Sequence, residues 1–382
     1  MNLVPSLPIP YPDPMPLPAP VWLLRTLLLL TFFLHVLFMN CLLGGTTIAL
    51  FCAMRRKSSE FCARLAADLG RILPTVFAFT ITIGVAPLLF LQVMYGQFLY
   101  SSSILIGVPW LAVIGMVIVA YYGVYFFSMK FVETKTDGQR KTGATVVLSL
   151  VVVVLAGIAF IYSNNFTLML RPDRWLDLYR HNVGGWNLNW TEPSLLPRYL
   201  HFVLSAFAVS GLALIVLSLR RQEAGYRQWL IDQGFLLFAG ATTLNFGVGF
   251  WFLAKLPGAI RLAFVGGNGL ASALLGLGFL LPLAGIAHLI LAKSRKSSNR
   301  QIGIGIGCGL LTVATMVGMR DVLRNLTLAP YFNLSQLPVS PQWGIIALFV
   351  VLFVAGLATL YYMLRKVAIA SRIQAAAGES LQ

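Results

Sequence analysis

Charge is scarce in this chain. Only 10% of the 382 residues are Asp, Glu, Lys or Arg, and 12 of them are acidic. Asp232 and Asp321 fall near opposite ends of apolar segments and no Glu is embedded in one. Proton delivery across a membrane ordinarily runs through carboxylates, so this scarcity argues against a proton-coupled transporter and against ordinary oxygen reduction. Charged or broken-helix pairs at mid-membrane, expected of secondary transporters, are also missing from the pattern. Cys41, Cys52, Cys62 and Cys308 form no C-x-x-C and no C-x-x-C-H. That excludes covalent c-type haem and cysteine-ligated iron-sulfur clusters on this chain. Histidine is as rare as cysteine, at four residues.

What the sequence has in abundance is apolar surface. Hydrophobic residues make up 58% of the chain and the mean hydropathy is +0.82, far outside the range of a soluble domain. Apolar runs long enough to cross about 30 Å of hydrocarbon fall near 21–54, 72–99, 104–131, 143–165, 197–219, 228–254, 258–292, 301–326 and 343–365. The reading is an all-α, polytopic bundle of nine transmembrane helices. The net charge of +16 is spread in short loops on alternate sides of the spans, which is a topology signal and no site for nucleic acid. Arg55, Arg56, Lys57, Arg64 and Arg71 form one cluster, and Lys130, Lys135, Arg140 and Lys141 a second. Arg220, Arg221 and Arg227, then Lys293, Arg295, Lys296 and Arg300, then Arg365, Lys366 and Arg372 complete the set. The positive-inside rule places all five in the cytoplasm, with the N-terminus outside and the C-terminus inside.

Residues 1–20 carry eight prolines in MNLVPSLPIPYPDPMPLPAP, with no basic start and no small-residue cleavage site, and read as an extended outer arm. Residues 21–372 form the transmembrane domain and 373–382 a cytoplasmic tail. An unaided first span points to a bacterial plasma membrane. The largest outer connection, 164–197, mixes Trp175, Tyr179, Trp186 and Trp190 with Asp173, Asp177, Glu192 and His181. It is either an interfacial aromatic belt or a lid and docking surface. The 320–342 connection is a second candidate lid, whereas KLPG at 255–258 is too short to carry anything. Glycines in GLGFLLPLAG and IGIGIGCG allow close helix approach or a flat cofactor, and Pro87, Pro109 and Pro282 predict kinks.

An imidazole inside a bilayer is costly and is a functional candidate by default. Three of the four histidines lie in the spans: His35, His201 and His288. His201, in PRYLHFVLSAFAVSGL, sits just below Arg198 at the outer end of the fifth span, where it can ligate haem iron while Arg198 addresses a propionate. His35 lies deeper in the first span, beside Asn40, Gly44 and Gly45. Met316, in LLTVATMVGMRDVLRNL, reaches the outer half of the eighth span, and Arg320, Asp321 and Arg324 follow it within two turns. A thioether is an accepted axial haem ligand, and those arginines suit propionates. His288 lies above the cytoplasmic Lys293–Arg300 cluster and reads as an interfacial histidine. No helix carries two histidines four turns apart, which argues against a bc1-type cytochrome b.

The pattern resembles the large subunit of the cytochrome bd-type quinol oxidases. The matching pieces are His35 in the first helix, GVAPLLFLQVMYGQF in the second, GVPWLAVIG opening the third, RYLHFVLSAFAVSGL in the fifth, VGMRDVLR in the eighth and LYYMLRKVA closing the ninth. The resemblance implies nine helices with an outside N-terminus, His201 as the ligand of a low-spin haem b and His35 as a ligand of the active-site haem pair. Several family features are replaced here. The early seventh helix reads AIRLAFVGGNG without the family's methionine, Met316 stands where the family has a Glu, the third helix lacks paired Glu residues, and KLPG replaces the long quinol-binding loop.

These departures imply a divergent, short branch that keeps the haem scaffold without the proton route or the quinol loop. The expected function is a haem b membrane subunit of a respiratory oxidoreductase, holding one to three haems and passing electrons near the periplasmic face. Its expected partners are other membrane subunits and a periplasmic cytochrome c. The alternatives are a cofactor-free, quinone-binding anchor of the polysulfide reductase type and a cytochrome bd-like oxygen reductase.

Overall fold

The computed structural model describes residues 10, 15–132, 138–294 and 299–379. Lys135, Arg295, Lys296, most of the proline-rich arm and the last three residues of the tail lie outside the described residues. Nine helices among the described residues are long and apolar enough to cross a membrane, and no strand accompanies them. The expectation of an all-helical multi-pass membrane protein is met.

The helices are α1 (Val21–Met54), α2 (Glu60–Leu105), α3 (Gly107–Val132), α4 (Gly138–Met169), a short α5 (Trp175–His181), α6 (Leu195–Ser218), α7 (Ala224–Lys255), a one-turn α8 (Gly258–Leu262), α9 (Gly269–Ser294), α10 (Asn299–Leu328) and α11 (Trp343–Glu379). The chain divides into two compact units. One contains residues 25–333. The other contains 15–24 and 334–382, in which Leu17 pairs with Val339, Ser340 N donates to Leu17 O at 2.9 Å, and α11 exposes its apolar side chains.

Within the larger unit the buried side chains form several clusters. The first packs α1, α2, α3 and α4 around Leu73, Phe77, Val124, Phe127 and Leu148, joined by Leu214 of α6 and Tyr226 and Leu230 of α7. The second packs α6, α7, α9 and α10 around Leu212, Ile215, Phe238 and Leu289. Backbone approach explains the tight α6–α7 pair: a Cβ at Gly211 would lie 2.6 Å from the carbonyl oxygen of Gly234. The IGIGIGCG run packs likewise, since a Cβ at Gly305 would lie 2.8 Å from Leu289.

Polar contacts tie the basic linkers together at one end. Arg56 donates to Thr142 at 2.9 Å, Arg64 pairs with Glu223, Arg227 donates to Asn299 at 3.2 Å, and Lys293 pairs with Asp232 at 2.6 Å. The linkers α1–α2, α3–α4, α6–α7 and α9–α10 therefore share one end of the bundle, as the alternating charge predicted. At this basic end His288 Nδ1 lies 2.6 Å from Gln301 Oε1.

Three expectations need correction in detail. The second span is far longer than 72–99: α2 runs 46 residues, about 69 Å at 1.5 Å per residue. Its first turns continue below the apolar run because Ser59 caps the helix and Asp68 is buried there by Tyr226 at 2.9 Å and Arg221 at 2.9 Å. The seventh span is broken, with a π turn at Ala263–Gly267 between α8 and α9 and Gly266 at φ 120°. The kinks also differ: Pro109 sits in the first turn of α3, where a missing N–H is harmless, and the residue with non-helical dihedrals in α2 is Tyr95, not Pro87.

Candidate functional site

At the end opposite the basic linkers, the 164–197 connection folds into a cap. A 3-10 turn at Pro172–Arg174 leads into α5. Arg171 pairs with Asp173 at 2.9 Å and with the buried Glu192 at 2.6 Å, while Arg174 donates to Asn189 at 3.1 Å and Thr191 at 2.6 Å. Trp175 is buried and donates its Nε1–H to Leu168 O at 2.9 Å. Tyr179, His181, Trp186 and Trp190 are exposed. The segment is thus an ordered roof with an aromatic outer face, held by its own polar network.

Beneath this end lie two cavities. The first, about 220 Å³, is enclosed mainly by α6, α7, α9 and α10 and is lined by Arg198, His201, Met316 and Arg320. The second, about 340 Å³, is enclosed mainly by α1, α2, α3 and α4 and is lined by His35, Arg320, Asp321 and Arg324. Phe32, Phe202, Val317 and Arg320 line both, so they form the wall between the two. The six side chains singled out by the sequence are gathered at adjacent cavities, but the two histidines do not share one.

His201 is one turn below Arg198 on α6, on the same face. Its Nδ1 is buried without a hydrogen-bond partner. Asn245 Nδ2 reaches the His201 carbonyl at 3.3 Å and Ser205 Oγ at 3.0 Å, bracing the backbone and leaving the ring free. A Cβ at Gly249 would stand 3.7 Å from His201 Cε1, so the glycine keeps that side of the imidazole thin. Met316 is joined on the cavity wall by Met319, three residues later. Both touch the same glycine: a Cβ at Gly278 would lie 3.3 Å from Met316 Cε and 3.4 Å from Met319 Sδ. Sequence reasoning singled out only the first, although a spacing of three puts both on one helical face.

His35 is held differently. Its Nδ1 lies 3.1 Å from the carbonyl oxygen of Thr80 on α2, the geometry of an N–H donor. That contact assigns the proton to Nδ1 and leaves Nε2 as a free acceptor, the arrangement commonly found behind metal-bound imidazoles. The ring lies against Gly84, where a Cβ would come within 2.7 Å of Cε1. Thr80 and Gly84 were not singled out by sequence, because nothing in α2 alone marks the helix face that meets α1.

The arginines divide into two kinds. Arg324 is engaged: it pairs with Asp321, which is 2% exposed and also accepts from Arg25 Nη2 at 2.5 Å and Asn325 at 3.2 Å. Arg198 and Arg320 are not. The guanidinium of Arg198, on a residue 9% exposed, makes no hydrogen bond or ion pair among the described residues and rests on Phe252 at 5.0 Å. Arg320 likewise makes no hydrogen bond or ion pair among the described residues, and its guanidinium rests on Phe166 at 4.3 Å, Phe32 at 4.4 Å and Phe202 at 5.9 Å, with the charges of Arg198, Arg324 and Asp321 nearby. An uncompensated guanidinium in apolar surroundings is unstable unless an anion meets it. Two such groups line the cavities that His201 and His35 also line.

Among the described residues no three His, Cys, Asp or Glu side chains converge, so the donors available to a metal are imidazole paired with thioether, imidazole alone, or phenol. A flat metallo-cofactor bearing carboxylates fits these features: free imidazole nitrogen, glycines that flatten the walls, apolar rings and two unpaired cations.

No protein-family model and no curated protein sequence matches the chain. Among solved structures, that of bd oxidase from Geobacillus thermodenitrificans is similar, at 13% sequence identity and a TM-score of 0.67, over 92% of this chain and 100% of that one. At that identity the likeness speaks for the fold: this chain has the fold of a bd oxidase chain.

Proposed function

We propose that the protein is a haem b membrane subunit of a respiratory oxidoreductase, a divergent relative of the bd-type large subunit. The carrying observation is the pair of adjacent cavities that each combine an available imidazole with the shared, unpaired Arg320. In this reading His201 with Met316 holds one haem b and His35 another, with Arg198, Arg320 and Arg324 facing the propionates. The haem supplies one-electron transfer. The chain's own residues do the rest: Thr80 orients His35, Asn245 and Ser205 brace the His201 backbone, and the aromatic walls exclude water.

Sidedness follows from the basic linkers. Placed in the cytoplasm by the positive-inside rule, they put the cap, both cavities and the N-terminus at the outer face of a bacterial plasma membrane. Electrons would then pass at the periplasmic face, to or from a cytochrome c or a partner subunit docked on the aromatic cap. Scarce carboxylates weigh against oxygen reduction as the main activity.

The test is a pyridine haemochrome assay on the detergent-purified full chain. The expected result is b-type haem with a Soret band and a reduced α band that change in His201→Ala. A folded, colourless preparation overturns the proposal, and quinone co-purifying without haem favours the anchor reading. Oxygen uptake with reduced cytochrome c and with quinol separates the donors.

A further inference from the structure

Helix α1 contributes to both cavities. His35 and Met39 line the second, while Phe32, Val36 and Asn40, each four residues from the last, line the first. Asn40 is the polar member of that stripe. It is 1% exposed, and neither its amide nitrogen nor its amide oxygen has a hydrogen-bond partner among the described residues. Its backbone is fixed, because Ser210 Oγ on α6 donates to the Asn40 carbonyl at 3.1 Å and a Cβ at Gly44, one turn on, would strike the Ala206 carbonyl oxygen. An amide held in this way inside a bilayer is costly unless something meets it.

The same cavity holds a second such group. Asn245 Oδ1 on α7 is buried and accepts from nothing among the described residues, while its Nδ2 is spent on Ser205 Oγ and the His201 carbonyl. Thr242 lines the same wall one turn deeper. The Asn40 amide offers N–H donors, and both asparagines offer a carbonyl acceptor. A ligand with carbonyls alone leaves the two acceptors unmet, whereas water both accepts and donates. Along α6 the cavity runs from Arg198 to Leu212, roughly 21 Å at 1.5 Å per residue. His201 and Arg198 stand in the outer half of that length, and Asn40, tied to Ser210, in the inner half. At about 220 Å³ the cavity has room for several waters.

We propose that the inner end of the first cavity is a binding site for a cluster of water molecules, with Asn40, Asn245 and Thr242 as its binding residues. The rings of Phe32 and Phe202, which keep the outer half dry, stand above it. No carboxylate lines this cavity, so the cluster supplies its exchangeable protons and mobile dipoles. The site does not depend on the haem reading, which concerns the outer half.

Radiolytic hydroxyl labelling of the detergent-purified full chain, read by mass spectrometry, tests the site. X-rays split bound water into hydroxyl radicals that oxidise the side chains beside it, so label on a residue closed to bulk solvent marks bound water. Phe238 and Leu212 line the cavity and are 3% and 6% exposed, while Phe127 and Leu148 are fully buried outside it and give the background. Wild-type protein should take up oxygen at Phe238 and Leu212 above that background, and Asn40→Leu should lose the label. Background labelling in the wild type overturns the proposal, as does label unchanged in a folded Asn40→Leu variant. Should that variant not fold, Thr242→Val, which exchanges the hydroxyl for a methyl at equal size, takes its place under the same criterion. A lipid-soluble hydroxyl compound extracted from the wild type, in place of the label, also overturns it.

Discussion

The Nδ1 of His35 meets the carbonyl oxygen of Thr80 at 3.1 Å across the α1–α2 contact, and the same imidazole lies against Gly84. One helix thus supplies the ring while its neighbour fixes both the tautomer and the tilt. His201 has no such restraint on its Nδ1, so the two candidate ligands reach their cavities by different means.

Gly84→Ala tests the restraint. The added methyl would lie 2.7 Å from Cε1 and 2.8 Å from Nδ1, so the ring must move and its bond to Thr80 must break. Overpacking of this kind costs about 1–3 kcal/mol. The expected outcome is loss of the His35-dependent haem with a lowered melting temperature. In the Gly84→Ala, His35→Ala double variant the clash has gone, so its stability should match that of His35→Ala alone. Equal destabilisation by Gly84→Ala in both backgrounds would show that the contact carries no strain.

Met316 and Met319 compete for one role. Met316→Leu should remove the low-spin signature of the His201 haem and lower its midpoint potential, since a thioether ligand raises it. Met319→Leu should leave the spectrum intact and cost less than about 1.5 kcal/mol as a volume-conserving swap. Electron paramagnetic resonance and a redox titration of each variant decide the matter, and the opposite pattern would transfer the ligand to Met319.

The cap should respond to acid. Partial burial pushes the Asp173 carboxyl up, but the hydrogen bond and charge of Arg171 outweigh this and hold it below its ordinary value of 3.8. A carboxylate depressed in the folded state stabilises it above the unfolded value, and that contribution is lost as pH falls through the folded value. The cap should therefore loosen only below about pH 4. The effect is modest because Arg171 and Asp173 are 35% and 39% exposed and screened by solvent. Tryptophan fluorescence during acid titration reads it, through Trp175 in the cap. Arg171→Gln should move the transition to higher pH, and a transition unchanged by that substitution would place the acid sensitivity elsewhere.

Sequence made some of this visible and hid the rest for physical reasons. The spans were legible because the bilayer demands long apolar runs, and the shared end of the basic linkers because loop charge alternates. The true length of α2 was not, because hydropathy measures the lipid-facing part, while Ser59 and the buried Asp68 carry the helix beyond it. The break before α9 did leave a sign in Gly266–Gly267–Asn268, where Asn268 Oδ1 accepts from Ala271 N at 3.0 Å, a turn signal obscured by its apolar neighbours. His35 and His201 stood out through rarity. Thr80 and Gly84 are common residue types whose meaning depends on which helix faces which, and that is a property of the packed bundle.

Arg320 offers a prediction whose sign reverses with ligand. Its guanidinium lies among Phe32, Phe166 and Phe202 with no hydrogen bond or ion pair among the described residues. In haem-free protein, Arg320→Leu removes an uncompensated charge and should stabilise by about 1–4 kcal/mol, the range for replacing buried ionic groups by apolar ones. In loaded protein the same change deletes the cation that meets the cofactor's carboxylates, and breaking a buried pair costs about 3–5 kcal/mol. Thermal unfolding in detergent should therefore show the variant melting above wild type when haem is stripped and below it when haem is bound. Arg324→Leu provides the contrast. Its guanidinium already pairs with Asp321, so its loss should destabilise both forms. Should Arg320→Leu shift both forms in the same direction, Arg320 is not the anchor for an anionic group.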